Sequence, residues 1–326
     1  MPQPSIYYAS GRIGVLRRTM LKKAQLERLQ SAKNYTDATR ALTEIGFTSA
    51  DGTDFQTAAD QHVLKACRLV HAVTPEPLLT DCFLLRYDAH NLKILLKSRQ
   101  MAQKPEFLSA CGTIDAEKLR HCVADHTYGP LPQEFKTAME TLEKKIAVRF
   151  DPMLVDTVLD QATFRQIFTN LKGCKNAGTV KRYFQAKADL QNILILLRLK
   201  AMKKNAADFA GMALPGGTIP IRTLTDAFME SDRLIKLTKR FGPALQLAVT
   251  DAATDAKKLP FLEKVSEDYL FGLIKSRQYD TEYMETIVSY LLQRQREATD
   301  VRLVMAGKLN GFAPEAVGER MRELDG

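Results

Sequence analysis

Three stretches of the chain carry one pattern of apolar and polar positions: Leu78 to Arg99, Val180 to Lys200 and Val288 to Lys308. Counted from the acidic residue in each (Asp88, Asp189 and Glu297), apolar residues recur at −9 (Leu79, Val180, Val288), −6 (Cys82, Tyr183, Leu291) and −5 (Phe83, Phe184, Leu292). The stripe continues at +1 (Ala89, Leu190, Ala298), +4 (Leu92, Ile193, Val301) and +8 (Leu96, Leu197, Met305). Such spacing lies on one face of an α-helix. The span from −9 to +11 predicts one continuous helix of about 30 Å in each stretch, at 1.5 Å per residue. Further apolar positions at +6 and +7 widen the stripe, so the C-terminal half of each helix is expected to be buried on more than one side.

The polar positions repeat as well. An acid stands three places before an Asn or Asp (Asp88/Asn91, Asp189/Asn192, Glu297/Asp300), and a base follows the acid by eleven (Arg99, Lys200, Lys308). Residues three apart share a helical face and can bond to each other or to a neighbouring helix end. A base near the C-terminus of a helix gains roughly 0.3 to 1 kcal/mol from the macrodipole. These nine residues are therefore read as a structural repeat motif rather than a catalytic one.

The three windows align without a gap at a period of about a hundred residues, which points to three copies of one helical unit. A second echo supports this: Gly112-Thr113-Ile114 with Leu119, and Gly217-Thr218-Ile219 with Leu224. Each echo follows a motif helix and a connection containing Pro or Gly, where helical periodicity stops (Lys104-Pro105; Leu214-Pro215-Gly216-Gly217). The expected units are 1–104, 105–211 and 212–326. The third has no following echo. It ends in Ala313-Pro314-Glu315 and then Arg320-Met321-Arg322-Glu323-Leu324, read as a closing helix that Pro starts.

Elsewhere the pattern is also helical. Ile13, Leu16, Met20 and Leu21 predict a long first helix reaching Leu29. Asn34 or Thr36 is placed to cap the next, which carries Ala38, Leu42 and Ile45 before Gly46 stops it. No alternating strand with hairpin chemistry is found, so the expected fold class is all-α.

Composition adds bounds. The 326 residues suffice for two or three packed domains, and 45% hydrophobic with 26% charged residues is ordinary for a soluble globular protein. A net charge of +9 permits attraction to nucleic acid, anionic lipid or an acidic protein. However, the bases come in dispersed pairs such as Lys144-Lys145 and Lys203-Lys204, without the basic helix and interleaved aromatics of a nucleic-acid module. Five Cys without a CxxC fit reduced, mostly buried thiols. MPQPSIYYASGRIG lacks the apolar core of a signal peptide, and the apolar run Ile193–Leu197 is far short of the roughly 20 residues that span a bilayer.

Reactive constellations are missing. The Pro215-to-Thr218 loop lacks the Lys-Ser/Thr pair of a phosphate-binding loop, and His121, Cys122, Asp125 and His126 lack a second ligand pair at zinc spacing. A carboxylate metal site in a helical enzyme would need Glu-x-x-His pairs, and no Ser or Cys sits in a nucleophile elbow. The expectation is no catalytic residue, no metal, no cofactor and no small-molecule substrate.

Tyr7-Tyr8-Ala9-Ser10-Gly11-Arg12 before a helix, Tyr35 to Phe47 closing on Ile45-Gly46-Phe47, and Arg86-Tyr87-Asp88-Ala89-His90-Asn91-Leu92-Lys93 resemble the C subunit of archaeal and bacterial V-type (A-type) ATPases. The eukaryotic relative is the d subunit. The likeness continues through Gly216-Gly217-Thr218 and Glu297-Ala298-Thr299-Asp300-Val301-Arg302 to an Arg-rich C-terminal helix, and so covers essentially the whole chain. It departs from equal copies at Asp300, where the others have Asn, and at Arg296, where the first has Tyr87.

The resemblance implies a funnel of three similar helical domains around a pseudo-threefold axis. It implies a non-catalytic rotor part, peripheral on the cytoplasmic face of the membrane. Such a part joins the shaft of subunits D and F to the proteolipid ring and so transmits torque for ion transport. A helical-repeat scaffold for some other protein partner is the alternative. By position, the loops at Pro105, at Pro215, Gly216, Gly217 and Thr218, and at Pro314 are the expected partner contacts.

Overall fold

The protein, seen as a computed structural model, is described over residues 4–48 and 54–324. Met1 to Gln3 of the N-terminal stretch lie outside the described residues. Seventeen α-helices and two short 3₁₀ turns form the described chain, and it contains no strand, so the fold is all-α. The first four helices are α1 (Ile6–Arg17), α2 (Lys23–Ser31), α3 (Tyr35–Glu44) and α4 (Phe55–Val73). Next come α5 (Pro77–Asp81), α6 (Leu85–Gln100), α7 (Ala116–Ala124), α8 (Gln133–Ile146), α9 (Pro152–Lys172) and α10 (Gly178–Ala201). The remainder are α11 (Ala206–Met212), α12 (Ile221–Asp226), α13 (Ser231–Thr238), α14 (Pro243–Thr254), α15 (Leu259–Lys275), α16 (Glu285–Leu309) and α17 (Pro314–Gly318).

The chain divides into two compact units, one of Met1–Pro75 with Leu237–Gly326 and one of Glu76–Lys236. In the first unit α16 lies along α4 and also touches α1, α2, α3, α15 and α17. Its core gathers Leu26, Leu29, Leu42 and Phe55 around Val301, Val304 and Met305 of α16. In the second unit α9 packs against α6, α8 and α10. Phe135, Met139 and Leu142 of α8 are buried there, as are Leu92 and Leu96 of α6.

The apolar stripe is buried at nearly every position: Leu79, Val180 and Val288, then Leu92, Ile193 and Val301, then Leu96, Leu197 and Met305. Residues at +7 (Leu95, Leu196, Val304) are buried too, which widens the covered face as the pattern implied. Leu292 alone among the −5 residues is only half-buried.

Three helix expectations need correction. The second and third windows lie within single helices, α10 and α16, but the first is broken at Cys82–Leu84 between α5 and α6. Phe83, Leu84 and Tyr87 there bond to carbonyls three residues back, a tightened turn that separates the helices. The long first helix is also divided, because residues 18–22 leave helical geometry to put the Leu21 N–H on the Glu297 carboxylate. Finally, the closing helix is only α17, with Pro314 at its first position, and Met321 to Leu324 are non-helical. Asn34 caps α3 through the Asp37 N–H, and Gly46 (φ 72°) follows its end.

Candidate functional site

The motif residues sit at three buried clasps. In the first, Asp88 of α6 is fully buried and accepts from the Thr113 N–H (3.0 Å), the Thr113 hydroxyl (2.7 Å) and the Ile114 N–H (3.1 Å). Asn91, one turn on, pairs with the backbone of Ser109 in both directions: its amide donates to the carbonyl (2.8 Å) and its oxygen accepts from the N–H (2.7 Å). Burial pushes the Asp88 carboxyl above its ordinary range, and the Thr113 and Ile114 donors oppose that shift. Gly112 fits because a Cβ there would lie 2.1 Å from Asp88 Oδ1.

The second clasp repeats this atom for atom. Asp189 of α10 accepts from the Thr218 N–H (3.0 Å), the Thr218 hydroxyl (2.6 Å) and the Ile219 N–H (2.9 Å). Asn192 pairs with Leu214 in both directions, at 2.9 and 2.7 Å. A Cβ on Gly217 would lie 2.2 Å from Asp189 Oδ1. Acid and Asn thus bond not to each other but to one connection ahead of the next helix, the acid to Thr and Ile of the Gly-Thr-Ile turn and the Asn to the backbone of Ser109 or Leu214 just before it.

The third clasp is closed by two separate segments. Glu297 of α16 is fully buried and receives the Leu21 N–H (3.1 Å), His62 Nε2 (2.8 Å) and Arg294 Nη1 (3.0 Å). Asp300 accepts from the Arg322 N–H at 3.0 Å through Oδ1, and among the described residues its buried Oδ2 has no hydrogen-bond partner. Burial raises the Asp300 carboxyl to about 7; Arg322 and Arg296 draw it down and Asp268 pushes it up. Residues 19–22 thus stand where the other copies have Thr and Ile, and residues 320–324 stand where they have Ser109 or Leu214.

The bases close the geometry. Arg99 donates to the Val123 carbonyl at the end of α7 and pairs with Glu143 at 2.6 Å, where Tyr128 also donates. Lys308 Nζ reaches the Ala32 carbonyl at the end of α2 (2.6 Å), and Lys200 Nζ meets the Ser231 hydroxyl (3.1 Å). Orphan carbonyls at a helix end accept cations favourably.

One recurring element was not read from the sequence. Each motif helix ends in a left-handed residue three places after the base: Ala102 (φ 51°), Lys203 (φ 57°) and Gly311 (φ 68°). The following N–H then bonds five residues back, Gln103 to Ser98, Lys204 to Leu199 and Phe312 to Gly307, which is the Schellman arrangement. Only the third copy advertises it with Gly.

Elsewhere the chemistry is quiet. His121, Asp125 and His126 are exposed while Cys122 is buried, and among the described residues no group of three ligand-type side chains could hold a metal ion. Four of the five thiols are buried and none of the five is in a disulfide, with burial raising Cys174 to about 11. Of the loops read as partner contacts, Gly217 and Thr218 are engaged with Asp189, Pro105 and Pro215 are half-buried, and Gly216 and Pro314 are exposed. No helix among the described residues is long and apolar enough to cross a membrane.

Fold and clasps together define an all-helical protein whose repeated polar motif is spent on holding its own loops. Comparison with known proteins gives the class its place: the pattern of the ATP synthase (C/AC39) subunit matches residues 9–320, and the chain belongs to that family. It is similar to the C subunit of the V-type sodium ATPase of Enterococcus hirae, 23% identical over 83% of each chain. It also resembles the C subunit of the A-type ATP synthase of Thermococcus onnurineus, 28% identical over 43% of this chain and 38% of that one. A third relative is the corresponding A-type ATP synthase protein of Haloferax volcanii, 25% identical over 50% of this chain and 47% of that protein.

Proposed function

We propose that this subunit is a non-catalytic coupling piece of the central stalk, carrying rotation between a shaft of subunits D and F and the membrane proteolipid ring. The observation that supports this most is the clasp itself. A part that transmits torque has to resist bending, and each motif helix is tied by charge-assisted bonds to a loop more than twenty residues away in sequence. Its acids are spent on those bonds, and the membership in the ATP synthase (C/AC39) family supplies the assembly in which such a part works.

In this reading the three expected units, 1–104, 105–211 and 212–326, form a funnel around a pseudo-threefold axis. The protein sits peripherally on the cytoplasmic face. Its partner contacts include the connections at Pro105, Pro215 to Thr218 and Pro314. An affinity tag on this chain, with membranes extracted in detergent, is expected to recover a proteolipid ring and a coiled-coil shaft. Removing the chain is expected to abolish ATP-driven ion uptake. Recovery of soluble partners alone, with ion uptake intact after removal, contradicts the reading and favours a scaffold for other proteins.

A further inference from the structure

Beside the third clasp lies a cleft of about 1010 Å³, lined by α1, the 18–22 segment, α4 and α16. Five exposed cations border it: Arg12, Arg18, Lys22, Lys65 and Arg68. Among the described residues none of the five has an acidic partner, whereas Lys93, Lys97, Arg99, Arg296, Arg302 and Arg322 are each paired with a carboxylate. Among the described residues the one carboxylate in the lining is Glu297, fully buried and already holding three donors. It cannot neutralise the rim.

Like charges gathered around one concavity repel, and they focus potential on its interior. A ligand that offsets five positive charges must carry several negative ones in a small volume. A phosphate group brings between one and two charges and three acceptor oxygens, where a carboxylate brings one charge. Three of the five cations are arginines, whose planar fork matches phosphate oxygens in pairs. The floor suits an organic portion as well: Phe47 stacks on His62 with ring centroids 4.6 Å apart, and Leu16 and Leu69 are half-buried. The volume is at the upper end of small-molecule sites.

We propose that this cleft binds a multiply phosphorylated anion. The bound anion rests on residues 18–22, so it also holds the segment that closes on Glu297. This goes beyond the coupling role and does not depend on it. The phosphate chemistry has two sources, a free polyphosphorylated compound or anionic lipid headgroups.

Inorganic tripolyphosphate, titrated calorimetrically into the whole chain at physiological ionic strength, is expected to bind saturably and to raise the melting temperature. The charge reversal Lys65→Glu with Arg68→Glu is expected to weaken binding by about tenfold or more. The matched reversal Lys144→Glu with Lys145→Glu, on exposed residues outside the cleft, should weaken it by less than about twofold, because salt screens distant charge. Vesicles of phosphatidylcholine with phosphatidylglycerol form the second arm. Vesicle binding that tripolyphosphate displaces, with the same sensitivity to the cleft variant, assigns the site to headgroups; tripolyphosphate binding without vesicle binding assigns it to a free compound. The proposal is overturned by no saturable binding in either arm, by equal weakening in the two charge-reversed proteins, or by polyglutamate competing as strongly as tripolyphosphate.

Discussion

The first two clasps and the third solve one problem with different materials. At Asp88 and Asp189 the partner is a Gly-Thr-Ile loop 25 to 30 residues downstream, and every oxygen of the acid meets a backbone or hydroxyl donor. At Glu297 the backbone donor lies 276 residues upstream, and the remaining valence goes to Arg294 and His62. The Asn-for-backbone exchange at Asn91 and Asn192 is complete, while Asp300 makes half of it and leaves one oxygen buried without a hydrogen-bond partner among the described residues. A motif closed locally can thus be built from neutral donors. A motif closed by distant segments here carries ions, and at Asp300 a dependence on pH.

Breaking the acids should show the difference at full scale. Glu297→Ala leaves the largely buried Arg294 without its carboxylate, and a loss of about 3 to 5 kcal/mol in urea unfolding is expected. Asp189→Ala strips three donors of their acceptor and should cost about 3 kcal/mol, mirrored by Asp88→Ala. Salt should change neither loss much: the Arg294–Glu297 pair is buried and so is screened little, and the Asp189 bonds are buried too, so both losses should hold in molar NaCl.

Next in size is Gly217→Ala, whose added Cβ has 2.2 Å to Asp189 Oδ1 and must push the loop off its helix. A loss of about 2 kcal/mol is expected, with Gly178→Ala, open around its Cβ, showing none of it.

Asp300→Asn converts the third copy toward the other two. The folded carboxyl is raised from 3.8 to about 7, so the folded state holds its proton more tightly than the unfolded chain does. Stability from this group is therefore fully present below pH 3.8 and lost as pH rises toward 7. The Asn variant should gain on the order of 1 kcal/mol at pH 8 and show a flatter stability profile between pH 4 and 7. An unchanged profile would remove Asp300 from the argument. The smallest effect belongs to Ala102→Gly, where relief of a left-handed Ala should add about 0.5 to 1 kcal/mol.

Much of this was readable in advance because it rests on period. Burial of the stripe from Leu79 to Met305 follows from side-chain spacing, and so does the all-α class. The Gly-Thr-Ile echo was visible as a duplicate, yet its bond to the acid was not, since spacing does not reveal which donor folds back on a carboxylate. Two of the three helix expectations, the first helix and the closing one, fail for one reason. Leu21 and Arg322 lie in segments whose apolar residues keep helical spacing, but their N–H groups are taken by Glu297 and Asp300, and tertiary bonds override local propensity. The break at Cys82 to Leu84 leaves the stripe intact, so nothing in the pattern marks it. The Schellman ends escaped notice because Ala102 and Lys203 are unusual left-handed residues.

Native-state amide exchange at Thr113, Ile114, Thr218 and Ile219 tests most directly whether the repeated acid is a clasp. These loop amides are expected to be protected nearly as well as the motif helices, and Asp189→Ala should release Thr218 and Ile219 while leaving Thr113 and Ile114 protected. Exchange of all four at the rate of an open loop in the unaltered protein would contradict it.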